Sequence, residues 1–131
     1  MKRAFYTVFI LMCALLHGCK NEKISGTDEA GCLKVKSVAE YCISEKPLYL
    51  IQFLQPTTLA TQQKSDVNDS TIYLAAILEL PESFQRRDSI FYMKSHYDPV
   101  SERKYRPSIC QAVFGPVKIL VCDEASSQPC Q

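Results

Sequence analysis

Residues 88–97 read Asp-Ser-Ile-Phe-Tyr-Met-Lys-Ser-His-Tyr, and this stretch decides the fold class. Its alternate positions carry apolar or aromatic side chains, with Phe91 and Met93 in one set and Ile90 and Tyr92 in the other. Successive side chains of a strand point to opposite faces, so this alternation predicts a β-strand with at least one apolar face.

Further strand-like segments, most of them rich in β-branched and aromatic residues or bounded by proline, lie on both sides of it: 32–42, 48–54, 72–80, 109–114 and 117–122. The segment 72–80 is ambiguous between strand and helix, and residues 81–87 predict one helical turn that starts at proline. The polar stretches 56–70 and 98–107 predict loops. About five strands with little helix predict a small all-β barrel or sandwich.

The N-terminus has the composition of a secretion signal. Lys2 and Arg3 precede a short apolar run that ends at Leu16, and the first acidic residue is Glu22. A membrane-spanning helix needs about 20 apolar residues, so this shorter run predicts a cleaved signal peptide over residues 1–18.

The apolar run ends in Leu-His-Gly-Cys at residues 16–19, which looks like the lipidation site of a bacterial lipoprotein. We expect Cys19 to carry lipid and residues 19–30 to form a flexible tether. Acyl chains contribute about 0.8 kcal/mol per buried CH₂, so two or three of them anchor a protein stably. Lys20 favours the outer membrane, on its periplasmic or surface face. The rival interpretation is an ordinary secreted protein cut near Gly18.

Length and charge limit the function classes. The chain has 131 residues, with 15 Lys and Arg against 14 Asp and Glu. After signal and tether, residues 31–131 are sufficient for a single small β domain. Nucleic-acid-binding domains carry a basic excess, so this balance predicts no nucleic-acid partner.

Cysteine usage fits an oxidising compartment. Of seven cysteines, Cys13 lies in the signal and Cys19 takes the lipid. The remaining five are Cys32, Cys42, Cys110, Cys122 and Cys130. Exported domains of this size use such cysteines as disulfides, and an odd number leaves one spare.

Cys130, next to the last residue, is our prediction for the spare thiol. A zinc site is the rival interpretation of a cysteine cluster. Zinc sites favour closely spaced Cys and His ligands, whereas the chain has no Cys-x-x-Cys and His96 is the one histidine after the signal. We therefore expect no metal and no cofactor.

Three short pieces of sequence occur in a suggestive order. Tyr41-Cys42 precedes the apolar segment 48–53, Leu-Pro-Glu-Ser-Phe at 80–84 precedes Ile90-Phe91-Tyr92, and Ile109-Cys110 precedes the apolar segment 117–122. In this order they resemble a group of small, uncharacterised lipoproteins of Bacteroides-group bacteria, over roughly residues 41–122. The resemblance implies an OB-like β-barrel in the bacterial cell envelope and supplies no catalytic residues.

The same resemblance implies a disulfide between Cys42 and Cys110, which fall before the second and the last strand. A second bridge between Cys32 and Cys122 would then join the first and last strands. Each bridge would close a long loop, contributing about 4–5 kcal/mol in the chain-entropy model. Asp88 stands where the pattern has a turn glycine.

Candidates for catalysis are few. His96 and Asp98 are two positions apart and are the candidate acid–base pair. The alternative interpretation of the two residues is a polar strand edge. No glycine-rich phosphate loop and no serine-hydrolase motif occurs in the sequence. We therefore expect no catalytic residue and a protein that is not an enzyme.

Aromatic and basic residues are concentrated in the C-terminal half. Tyrosine and arginine are favoured on surfaces that bind proteins or sugars. The predicted partner-binding residues are Tyr92, Tyr97, Arg103, Tyr105 and Arg106. Core aromatics beside a solvated loop are the alternative interpretation.

Three hypotheses for function follow. The first is a lipid-anchored module that binds a protein or glycan partner in the envelope without catalysis. The alternative is an inhibitor of a host or envelope enzyme such as lysozyme, which inserts the loop 98–107 into the enzyme cleft. The third, an enzyme that uses His96, predicts that His96→Ala lowers an activity for which the sequence suggests no substrate.

Overall fold

The described part of the chain is mostly β-strand. The computed structural model describes residues 31–108, 110 and 115–130. Its strands are β1 (Leu33–Glu40), β2 (Leu48–Phe53), β3 (Thr61–Lys64), β4 (Thr71–Leu78), β5 (Ile90–Tyr97) and β6 (Lys118–Ser126). A turn of 3₁₀ helix spans Glu82–Phe84, inside the predicted helical turn, and helix α1 spans Pro99–Tyr105.

Five of the strands close a barrel. β1 pairs antiparallel with β2 and with β5, and β2 pairs antiparallel with β4. β6 pairs antiparallel with β5 and parallel with β4. The circular order β1, β2, β4, β6, β5 is that of an OB-like barrel. The fold is therefore the predicted all-β, five-stranded barrel stapled by disulfides, and not a sandwich.

β3 is an extra strand inside the segment 56–70, which we predicted to be a loop. Its four residues pair with the first half of β4. Asp69, with φ of 53°, lies in the turn between the two strands. β3 has no apolar face because its residues are Thr, Gln, Gln and Lys, so hydrophobic alternation could not reveal it.

Two apolar clusters lie on opposite faces of β2, β4 and β6. The interior of the barrel holds Val35, Ile51, Phe53, Ala60, Ala75, Ile77, Leu80, Phe91, Met93 and Leu120. The second cluster, called the outer core below, holds Tyr41, Leu48, Leu50, Leu74, Ala76, Leu78, Tyr105, Val117 and Ile119. A strand that is covered on both faces has a nearly continuous apolar sequence, which explains why 72–80 was ambiguous and is β4.

Asp88 takes the place of a turn glycine before β5. Its φ of 64° lies in the left-handed region, which non-glycine residues seldom adopt. Its backbone N–H donates to the carbonyl of Ser37 at 2.8 Å, and Ser37 donates back to the carbonyl of Ser89 at 2.9 Å. This exchange fixes the start of β5 against β1.

Two disulfides staple the domain. Cys42 is bonded to Cys110, as the resemblance implies, and Cys32 is bonded to Cys130, with Cα atoms 5.1 and 5.6 Å apart. Disulfides of this kind indicate a location outside the cytoplasm.

The predicted bridge between Cys32 and Cys122 is wrong. Cys122 lies on β6 opposite Ser95 of β5, and β5 stands between β6 and β1. Two strand spacings amount to roughly 9–10 Å, beyond the ~4.4–6.8 Å between Cα atoms that a disulfide allows. The chain beyond β6 instead brings Cys130 to Cys32, so the prediction of Cys130 as the spare thiol is also wrong, and Cys122 is free.

The predicted loop 98–107 contains helix α1. Asp98 caps the helix, since its carboxylate accepts from the backbone N–H of Val100 at 3.1 Å and of Ser101 at 3.0 Å. Pro99 occupies the first turn, where its missing N–H costs nothing. The lipidation site Cys19, the tether and all of the predicted strand 109–114 except Cys110 lie outside the described residues.

Candidate functional site

Two connections cover the outer core. The β1–β2 connection contributes Tyr41, whose hydroxyl accepts from the backbone N–H of Val117 at 3.4 Å. The β5–β6 connection contributes Tyr105, which is 9% exposed. The disulfide between Cys42 and Cys110 joins the two connections covalently. Together they cover the outside of β2, β4 and β6.

This cover has a consequence for ligand binding. OB barrels bind ligands on the outside of their second and third barrel strands and on the connections beside them. In this chain those strands are β2 and β4, and their outward residues Leu50, Leu74 and Ala76 are buried in the outer core. The chain therefore occupies this face itself.

α1 is fixed to the barrel by a buried carboxylate. Glu102 is buried on the inner side of the helix and forms an ion pair with Arg106 one turn later. The phenol of Tyr97, at the end of β5, faces this carboxylate, and its interaction with Glu102, followed by partial desolvation, raises the pKa of Tyr97. The helix is thus held by a polar contact as well as by Tyr105.

The opposite side of α1 is open to solvent. Val100 is 69% exposed, and Arg103 and Lys104 are exposed beside it. Residues three and four apart lie on the same face of a helix, so these three side chains form one surface. We call Val100, Arg103 and Lys104 the α1 surface.

The predicted partner-binding residues divide into three groups. Arg103 lies on the α1 surface, whereas Tyr97 and Arg106 are engaged by Glu102. Tyr105 belongs to the outer core, with Lys104 Nζ 5.0 Å and Lys46 Nζ 5.4 Å from its ring centre. At this position the burial favours the alternative interpretation, a core aromatic. Tyr92 lies apart from these four, on the outside of β5.

His96 pairs with Asp123 and not with Asp98. Its Nδ1 lies 2.8 and 2.9 Å from the two carboxylate oxygens of Asp123. The β5–β6 register shifts between Lys94 and Ser95, so Asp123 is an extra residue beside His96. Asp98 is used as the helix cap, and hydrogen bonds from Ser101 and Val100 lower its pKa. No local pattern in the sequence could reveal this pair, since the partners are 27 positions apart.

The free thiol of Cys122 is on the other side of the sheet from His96. Cys122 packs against the barrel interior, and burial, with the nearby charge of Asp123, raises its pKa to about 11. At neutral pH the thiol is protonated, which removes the nucleophilic form of cysteine.

Over residues 31–108, 110 and 115–130, no three His, Cys, Asp or Glu side chains converge on a metal-sized site. Within the same ranges, no helix has the length and apolarity needed to cross a bilayer. Comparison of the chain with protein-family models, with curated proteins and with solved structures gave no match.

Proposed function

We propose that this protein is an envelope lipoprotein, anchored through Cys19, that binds a protein or glycan partner without catalysis through its α1 surface. The observation that carries the proposal is the closure of the β2–β4 face by the chain's own Tyr41, Tyr105 and Val117. A barrel that fills its own binding face offers a partner the outside of the cover, and α1 is the exposed element there.

The envelope location rests on two supports. The disulfides agree with an oxidising compartment outside the cytoplasm. The lipid on Cys19 and the choice of the outer membrane rest on the sequence of residues 1–20.

The absence of catalysis is supported by the placement of the two reactive side chains. Ser95 and His96 are neighbours on β5, and they pair with Cys122 and Val121 of β6. Neighbouring residues of a strand point to opposite faces, so the imidazole of His96 and the thiol of Cys122 are separated by the sheet. A Cys–His dyad needs the two groups in hydrogen-bond contact.

The chemistry of the α1 surface suits an acidic partner. One apolar side chain, Val100, lies beside the two cations Arg103 and Lys104. Such a surface complements an acidic protein segment or an acidic glycan. An inhibitor that inserts a free loop fits less well, because the segment 98–107 contains a helix held on the barrel by Tyr105 and Glu102.

Site-specific photo-crosslinking tests the proposal in cells that make the full chain. A photoreactive amino acid replaces Val100 in one variant and Val67, 93% exposed in the turn between β3 and β4, in the control. We expect a discrete adduct from position 100, none from position 67, and loss of the adduct when Arg103→Glu and Lys104→Glu are added. No adduct at position 100, or the same adducts at both positions, would contradict the proposal.

A separate assay addresses the inhibitor alternative. The full protein in mild detergent is added to lysozyme at high molar excess, and cell-wall hydrolysis is followed. Undiminished hydrolysis agrees with the binding module. Inhibition that Val100→Asp abolishes would favour the inhibitor in its place.

A further inference from the structure

The outside of β1 and β5 is the side of the barrel that α1 does not cover. Lys34 and Lys36 of β1 stand opposite Tyr92 and Ile90 of β5. The Nζ atom of Lys34 lies 5.9 Å from the centre of the Tyr92 ring. Lys94 follows two residues after Tyr92, on the same face of the strand. We call these five side chains the β1–β5 face.

This face is more basic than the chain as a whole. The face and its rim carry four cations, Lys34, Lys36, Arg87 and Lys94, and three carboxylates, Asp88, Glu124 and Asp123, the last of which pairs with His96. Lys36 lies 2.8 Å from Asp88, and Lys94 lies 2.9 Å from Glu124. Among the described residues, no carboxylate is within ion-pair distance of Lys34. The complete sequence, in contrast, has 15 basic and 14 acidic side chains.

The same face exposes apolar surface. Ile90 is 56% exposed beside the ring of Tyr92. Leu54 is also exposed at the rim, where its backbone N–H donates to the carbonyl of Lys34 at 3.1 Å. Cations around exposed aliphatic and aromatic side chains are the composition of surfaces that rest in a lipid headgroup layer.

The chain enters the barrel at this face. β1 begins at Leu33, and the disulfide between Cys32 and Cys130 fixes its start. Residues 20–30 separate Cys19 from Gly31, and a chain of this length spans at most ~40 Å when fully extended. A lipid on Cys19 would hold this side of the barrel at a high local concentration near the bilayer.

From the charge, the exposed apolar groups and the point of entry, we propose that the β1–β5 face rests on the anionic headgroups of the membrane that carries the anchor. The inference rests on the lipid anchor of the proposed function. It also defines an orientation: α1 packs against β6, beside the β1–β5 face and not on it, so its exposed side is left free for the partner.

Tryptophan fluorescence tests this orientation, because the natural chain contains no tryptophan. The full, lipidated protein is reconstituted in vesicles of phosphatidylethanolamine and phosphatidylglycerol whose acyl chains are brominated near the headgroup. We expect Tyr92→Trp to lose about half of its fluorescence to the bromine and to recover most of it at ~0.5 M salt, where charges are screened. Val100→Trp, on the exposed side of α1 and outside the β1–β5 face, should lose none.

A charge-reversal pair tests the role of the basic groups. Lys34→Glu in the Tyr92→Trp protein should abolish the quenching. Lys64→Glu is the matched control, since Lys64 is an exposed strand lysine away from this face. Equal quenching at positions 92 and 100, no quenching at position 92, or full quenching on neutral phosphatidylcholine would overturn the proposal.

Intact mass separates this inference from the proposed function. A protein without acyl chains on Cys19 refutes the anchor itself, whatever the fluorescence shows. An acylated Tyr92→Trp protein whose fluorescence is unquenched refutes the orientation alone and leaves the anchored binding module in place.

Discussion

The buried carboxylate of Glu102 in α1 faces Tyr97, the last residue of β5, and raises the pKa of its hydroxyl. Arg106 pairs with the same carboxylate one turn further along the helix. Asp98 connects Tyr97 to α1 in the sequence. The contact between Tyr97 and Glu102 therefore holds the helix against the end of β5. The position of the α1 surface on the barrel therefore depends on Glu102.

Replacing Glu102 tests this dependence. Glu102→Ala leaves the Tyr97 hydroxyl and the Arg106 guanidinium without their partner, so we expect the free energy of unfolding to fall by about 2 kcal/mol. Glu102→Gln keeps an acceptor for Tyr97 and should cost less. Urea unfolding measures both changes. Arg103→Ala, on the exposed side of the same helix, is the control and should stay within about 0.5 kcal/mol. Equal losses of stability in Glu102→Ala and Arg103→Ala would contradict the role of Glu102 in holding α1 on the barrel.

Tyr105→Ala tests whether this tyrosine is core or surface. The ring is buried in the outer core between the β1–β2 connection and β6. Its removal leaves a cavity, so we expect a loss of about 3 kcal/mol in the free energy of unfolding. Tyr105→Phe keeps the ring and should cost much less. A near-neutral Tyr105→Ala would instead restore the tyrosine as a candidate contact residue.

The barrel could be predicted from the sequence because its strands carry their own pattern. The alternation of β5 and the β-rich segment of β2 both end at residues that stop a strand, so these two strands and the all-β class could be predicted. The cover over β2 and β4 could not be predicted in the same way. A helix of seven residues is too short to show a period, and its cap, Asp98-Pro99, is equally typical of a turn.

The wrong disulfide prediction and the missed partner of His96 have a common physical origin. Both depend on how the strands are ordered and aligned in the barrel. Sequence position does not show that β5 lies between β1 and β6, and this separation excludes the bridge between Cys32 and Cys122. It also does not show the shift of register in β6, which places Asp123 next to His96. Both relationships join residues far apart in the sequence, and local patterns carry no information about them.

Disulfide mapping tests this strand order directly. Proteolysis of the unreduced protein should release one linked peptide pair with Cys32 and Cys130 and another with Cys42 and Cys110. Cys32→Ser with Cys130→Ser should lower the free energy of unfolding by about 3–5 kcal/mol, because the bridge closes a loop of 98 residues. Cys122→Ser is the control and should leave both linked pairs intact. A linked pair that contains Cys122 would refute the placement of β5.

The thiol of Cys122 should be unreactive in the folded protein. Burial raises its pKa to about 11 from the ordinary value of 9.0, so at pH 8 the thiolate is about a hundredfold scarcer than in the unfolded chain. Iodoacetamide labelling at pH 8, followed by intact mass, should therefore be about a hundredfold slower in buffer than in urea. The barrel favours the protonated thiol, so this contribution to stability is complete below pH 9 and is lost as the pH rises through 11. The loss should be absent in Cys122→Ala. Rapid labelling of the folded protein at pH 8 would show that the thiol is outside the barrel.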